Sequence, residues 1–152
     1  MKRLRRLLDL TAVERLILVQ AFAVISLVRF CLWVLPFGTF CQTWVSLLVR
    51  AAKPKRRKSL PPQRIVWLTS VASRYVPGAH CLARSFAAHL LLARRGHHTL
   101  LQIGVRKDNG SLDAHAWLEF ENVPLFESEA HLSQYNLLTS LNPWRDAPGT
   151  AR

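Results

Sequence analysis

Hydrophobic positions along this chain follow a helical period as far as Gly96 and a period of two after it. Residues 16–37 are apolar nearly all round, interrupted mainly by Gln20, Ser26 and Arg29. Thr11 and Glu14 form an S/T-x-x-E capping box just ahead of that run, so its helix is expected to start near Ala12. Pro36-Phe37-Gly38 breaks it, and a second apolar stretch covers 40–52. The two stretches read as an apolar helical hairpin that packs on the rest of the protein or on a partner. The first is long enough to cross a bilayer, but Arg29 inside such a span would cost about 2.5–3.5 kcal/mol. Trp33 and Trp44 fit either a core or an interfacial anchor.

Residues 53–58, KPKRRK, lie between prolines and read as a basic linker. The expected organisation is therefore 1–58, an apolar hairpin with its linker, and 59–152, a second domain. In the latter, 63–75 reads as a helix with Ile65, Val66, Leu68, Thr69 and Ala72 on its inner face. Pro77-Gly78 marks a turn. A further helix opens at Cys81, with Leu82, Phe86, Leu90 and Ala93 recurring at helical steps and Gly96 as the expected C-terminal cap.

Beyond Gly96, Thr99, Leu101, Ile103 and Val105 alternate with polar or small residues, so 98–106 reads as a strand. Asn109-Gly110 is a strong hairpin signal. The returning strand, 114–121, puts Ala114, Ala116, Leu118 and Phe120 on one face and His115, Trp117 and Glu119 on the other. An Asn122 turn and a short strand at 123–126 follow. From Ser128 on, the polar tail with Pro143, Pro148 and Gly149 suggests an irregular end. Helices followed by an antiparallel hairpin make an α+β fold.

Charge narrows the partners. The chain has 152 residues, half of them hydrophobic, a formal net charge of +12 and a pI near 11.0. Such a balance suits an anionic membrane surface or an acidic peptide. Nucleic acid is not expected, because no aromatic residues interleave with the basic clusters. The three cysteines, Cys31, Cys41 and Cys81, are an odd number without a C-x-x-C pair, which argues against a disulfide scaffold and a structural zinc site. Cys31 and Cys41 read as packing residues. No cofactor is expected: there is no glycine-rich phosphate loop, and no G-x-S-x-G elbow either. The apolar N-terminal stretch lacks a small-residue cleavage signature, so the expected location is cytoplasmic, with peripheral membrane contact through 16–52 as a further expectation.

Cys81 is the candidate nucleophile. A helix N-terminus offers unpaired N–H groups and the positive dipole end, both of which favour a thiolate. A thiolate mechanism needs a base, and His115 on the returning strand is the candidate. The base needs an orienting acceptor, and Glu127, just downstream, is the best-placed carboxylate. The plain alternatives are that Cys81 is a small core residue and that His115 is a half-buried strand residue bonded to backbone. His80, beside Cys81, His89 in mid-helix, His97 and His98 in a loop, and His131 in the tail are weaker candidates. Ser85 reads as a helix-face residue.

The succession C-L-A-R-S, L-L-L-A-R-R-G, L-Q-I-G-V-R and A-H-A-W-L-E resembles the lasso peptide biosynthesis B2 proteins, which are transglutaminase-like cysteine leader peptidases. The resemblance covers about residues 60–130, and the apolar segment ending in L-P-F is similar to the family's entry segment. It implies a transglutaminase-like, papain-like core, with Cys81 as nucleophile and His115 as general base. The family's third residue is usually an Asp in an L-x-D pattern. This chain has Leu125-Phe126-Glu127 there, one methylene longer, with Asp113, Glu119 and Asn122 as fallbacks.

The resemblance further implies hydrolysis of one bond in a lasso-peptide precursor, releasing the core peptide for macrolactam closure. It implies three partners: the leader peptide, a separate winged-helix-like leader-recognition protein and an ATP-dependent lasso cyclase. Two other readings stand beside it. One is a membrane-associated basic adaptor with structural Cys and His. The other is an acyltransferase or transglutaminase using the same Cys-His pair.

Overall fold

The first helix of the computed structural model, α1, spans Ala12–Val34. The structure describes residues 10–34, 60–78, 81–108 and 110–141. The expected second apolar stretch, the linker, the 58/59 boundary, Cys41 and His80 lie outside them. At the start of α1 the capping box forms in full. Glu14 N–H donates to Thr11 Oγ1 at 3.3 Å, and Thr11 N–H donates to Glu14 Oε2 at 2.8 Å. Glu14 is buried and also accepts from Arg64 Nε at 2.6 Å. The Thr11 backbone first, then Arg64, hold its carboxyl below the ordinary glutamate range.

Helix α2, Pro62–Ser73, starts on a proline whose missing N–H costs nothing in the first turn. The five inner-face residues expected from the sequence are its buried ones. Helix α3, Cys81–Ala93, is the central element, and every residue from Ser85 to Ala93 is buried. It ends in a Schellman motif: His97 N–H reaches Leu92 O at 3.0 Å and Gly96 N–H reaches Ala93 O at 3.0 Å. Gly96 supplies the left-handed residue this ending requires, at φ +83°.

One core joins the three helices to the sheet. Ile17, Ala21, Ile25 and Val28 of α1 meet Ile65 and Leu68 of α2, Phe86 and Leu91 of α3, and Leu101 and Leu118 of the sheet. Cys31 packs against the edge of this core. Arg29 is exposed, with its guanidinium folded over the turn before α3. A Cβ at Gly78 would stand 2.8 Å from Arg29 Nη2, which the exposed arginine could yield, but φ there is +67°, so the backbone favours glycine.

The sheet is antiparallel, in the order β3-β2-β1-β4. Strand β1 is Leu100–Asp108, β2 is Ser111–Phe120 and β3 is Val123–Pro124. Glu121 and Asn122, both at positive φ, make the two-residue turn between β2 and β3. The tail differs from the irregular end expected of it. A short helix α4, Glu129–Leu132, leads into strand β4, Asn136–Leu141, which pairs antiparallel with β1. Adjacent Leu137 and Leu138 are both exposed, so β4 carries no alternating pattern. The open edge of β1 makes it a strand by offering backbone partners.

Candidate active site

Strand β3 pairs with β2 only at Glu119 and Phe120. The rest of that edge of β2 turns every second carbonyl outward. Leu118 O accepts Leu125 N–H at 2.9 Å, and Ala116 O accepts the Ser85 hydroxyl at 2.9 Å. Ala114 O faces Cys81 Sγ at 3.9 Å. Four residues of helix rise about 6 Å and two residues of strand about 6.7 Å, so α3 can lie along the edge and satisfy it at matching intervals. This packing sets the first residue of α3 one position from His115.

His115 is half-buried, and its Nε2 points at Glu127 Oε1, 3.4 Å away. The opposite ring nitrogen, Nδ1, is left for a different partner. Glu127 Oε1 is also bound by Arg84 Nη2, from the first turn of α3. The Arg84 guanidinium lies 4.5 Å from the Phe126 ring centroid. Arg84 Nε, His115 Nε2 and Glu127 Oε2 are buried without a hydrogen bond. Donors and acceptors are thus crowded into a buried space without being fully paired.

Aromatic rings fix the imidazole. Trp117 stacks on His115 at 6.3 Å between centroids and 17° between planes. Tyr135 and His131 approach the same ring at 5.3 and 5.9 Å. Gly104, opposite His115 in the β1–β2 register, leaves space for the indole: a Cβ there would stand 2.9 Å from Trp117 Cη2. The Tyr135 hydroxyl donates to Asp113 Oδ2 at 2.8 Å, and Arg106 Nε donates to the same oxygen at 2.9 Å. These two bonds hold the Asp113 carboxyl below its ordinary range, Tyr135 foremost. Burial and then the bond to Asp113 push the Tyr135 phenol up, with a smaller contribution from the Cys81 sulfur.

The sequence-derived candidates therefore separate. His115 and Glu127 come together, and Cys81 stands beside them on the neighbouring backbone. The fallback carboxylates are engaged elsewhere: Asp113 with Tyr135 and Arg106, Glu119 with Gln102 Nε2 at 3.2 Å and Trp117 Nε1 at 3.0 Å. Asn122 sits in the β2–β3 turn. His89 is fully buried, 2.7 Å from Thr99 Oγ1 through Nδ1, and burial pushes its pKa down to about 4. His131 borders the site by its contact with His115.

Sequence reasoning missed Arg84 and Tyr135, and gave Ser85 no partner. For Ser85 there was a signal: Cys81, Ser85 and His89 recur every four residues, a polar stripe on an otherwise apolar helix. Among the described residues, no group of three or more His, Cys, Asp or Glu side chains is arranged to hold a metal ion.

A comparison with curated proteins finds no match, and neither does one with solved structures. One family profile does match, over residues 24–140, from the middle of α1 to β4. It covers both the Cys81 helix and the whole β1–β2–β3 unit, and so the chain belongs to the transglutaminase-like superfamily.

Proposed function

We propose that this protein is a cysteine leader peptidase, which cuts one peptide bond of a ribosomally made lasso-peptide precursor and releases the core peptide. The superfamily generally contains cysteine peptidases and transglutaminases. The observation that carries the reading is the placement of Cys81 at the first position of α3, against the backbone beside His115, while His115 Nε2 faces Glu127.

In this reading His115 takes the proton of Cys81 through the nitrogen that Glu127 does not face. The sulfur attacks the scissile carbonyl carbon and a C–S bond forms. The C–N bond breaks as the imidazolium returns its proton to the departing amine. A water molecule then gives a proton to His115 and attacks the thioester. The C–S bond breaks, a carboxyl terminus is released and the thiol is restored. Glu127 holds the imidazole and stabilises its cationic form. The Cys81 backbone N–H is one donor to the oxyanion.

A separate recognition protein brings the leader, and an ATP-dependent cyclase takes the core peptide. Acyl transfer to an amine would run through the same acyl-enzyme, and the superfamily match favours that second reading as much as hydrolysis.

The experiment is mass spectrometry of a cognate precursor incubated with its recognition partner and either wild-type protein or Cys81→Ala. The expected result is cleavage at one bond by the wild type alone, giving two fragments that together weigh the precursor plus one water. An amine-exchanged product would establish acyl transfer instead. Equal cleavage by both proteins would remove Cys81 from the mechanism.

A further inference from the structure

Helix α1 has two unlike faces. Ile17, Ala21, Ile25 and Val28 are buried in the core. On the other side Leu16, Val19, Phe22, Leu27, Phe30 and Trp33 are exposed, by 45% at Leu16 and 79% at Trp33. They recur at three- to five-residue steps and form an apolar stripe along the 23-residue helix. Phe30 and Trp33 pair at its C-terminal end with centroids 6.4 Å apart. A contiguous apolar surface of this kind marks an interaction site.

Charge tells what the stripe meets. Residues 1–100 contain seventeen Lys and Arg against two carboxylates, whereas residues 101–152 contain four against seven. The cations thus belong to the part of the sequence that precedes β1. On α1 itself Arg15 and Arg29 are exposed, and the one carboxylate, Glu14, is buried against Arg64. Lys2, Arg3, Arg5 and Arg6 precede the helix, and four residues of chain tether Arg6 to Leu10 within about 14 Å. An apolar stripe with exposed cations and no exposed carboxylate on the helix itself, preceded by four cations against Asp9 alone, fits an anionic lipid surface. A second copy of the chain would bring the same positive charge to the contact and be repelled.

The helix is long and apolar enough to cross a membrane. Its inner face, however, is part of the core shared with α2 and α3, and spanning would require that core to open. We infer that α1 lies in the plane of an anionic bilayer, with its outer stripe, Phe30 and Trp33 included, at the boundary of headgroups and acyl chains. The inference is independent of the chemistry at Cys81.

The test is flotation of the purified full chain with vesicles of phosphatidylcholine alone and of equimolar phosphatidylcholine and phosphatidylglycerol. The wild type is expected to float with the anionic vesicles, less so as salt is raised, and to be released by alkaline carbonate. The exposed double variant Phe30→Ser/Trp33→Ser is expected to bind at least about tenfold more weakly, with unchanged circular dichroism. Quenching of tryptophan fluorescence by brominated lipid should be stronger in the wild type than in the single variant Trp33→Phe, which keeps an aromatic ring in the stripe. No binding by the wild type, equal binding by the double variant, or retention after carbonate would each overturn the inference. So would a wild-type dimer that the double variant converts to monomer, since the stripe would then belong to a second copy.

Discussion

Glu127 Oε1 stands 3.4 Å from His115 Nε2 and is the same oxygen that Arg84 binds. One carboxylate atom thus joins the helix that carries the candidate nucleophile to the strand that carries the candidate base. In the proposed mechanism this atom sets the direction of the imidazole and steadies its positive charge. Replacing Glu127 by Ala is expected to lower kcat by about a hundredfold or more with little change in KM, because the loss falls on the transition state. Glu127→Asp draws the carboxylate back by about one bond, some 1.5 Å, and is expected to fall between the two. Steady-state cleavage assays check this, and full activity in the Ala variant would contradict it.

In the proposed mechanism Arg84 acts on His115 through Glu127, which makes it a positioning residue. Its side chain is 27% exposed and that of Glu127 14%, so the pair is partly screened. Arg84→Ala is expected to cost about 2 kcal/mol in urea unfolding, less than a fully buried pair would. The pH profile of kcat/KM should shift as well, a change that a merely structural residue would not cause. Arg84→Lys keeps the charge and loses the planar contact with Phe126, so it should restore part of both.

Gly104 controls the other side of the imidazole. An added Cβ would meet Trp117 at 2.9 Å and the Asn136 carbonyl at 3.1 Å. The indole would have to move, and with it the ring stacked on His115. Gly104→Ala is expected to destabilise the fold by about 1–3 kcal/mol and to lower activity even where the protein remains folded. Thermal unfolding and cleavage assays on the same preparation separate the two effects.

His89 gives the stability a pH dependence. Its folded pKa is about 4, whereas an unfolded histidine titrates near 6.5. Between those values the unfolded chain binds a proton that the folded chain refuses. The contribution is therefore fully present above about pH 6.5, and falls as the pH drops towards 4 by up to about 3 kcal/mol. His89→Gln can keep a hydrogen bond to Thr99 and cannot titrate there. Its unfolding free energy should be flatter than that of the wild type across this window, and equal slopes would contradict the argument.

Much of the frame was legible because it is written in local chemistry. Thr11 and Glu14 announced the start of α1, Gly96 the end of α3, and the alternation around His115 the face it shares with Trp117. The Cys81, His115 and Glu127 candidates followed from chemistry, chain order and family resemblance. What stayed hidden depends on contacts distant in sequence. Nothing in the stretch Asn136–Leu141 marks a strand, since the unpaired edge of β1 creates it. Arg84 looked like an ordinary helix former, and only the fold brings Glu127 to it across 43 positions. Ser85 reads only as a helix-face residue because the sequence cannot show that this face of α3 lies along an open sheet edge.

The catalytic assignment is tested most directly by the rate of iodoacetamide alkylation at Cys81, mapped by mass spectrometry at neutral pH in the wild type and in His115→Ala. The account expects Cys81 to react faster than Cys31, and at least about tenfold more slowly once His115 is replaced. Equal rates at Cys81 in the two proteins would contradict it.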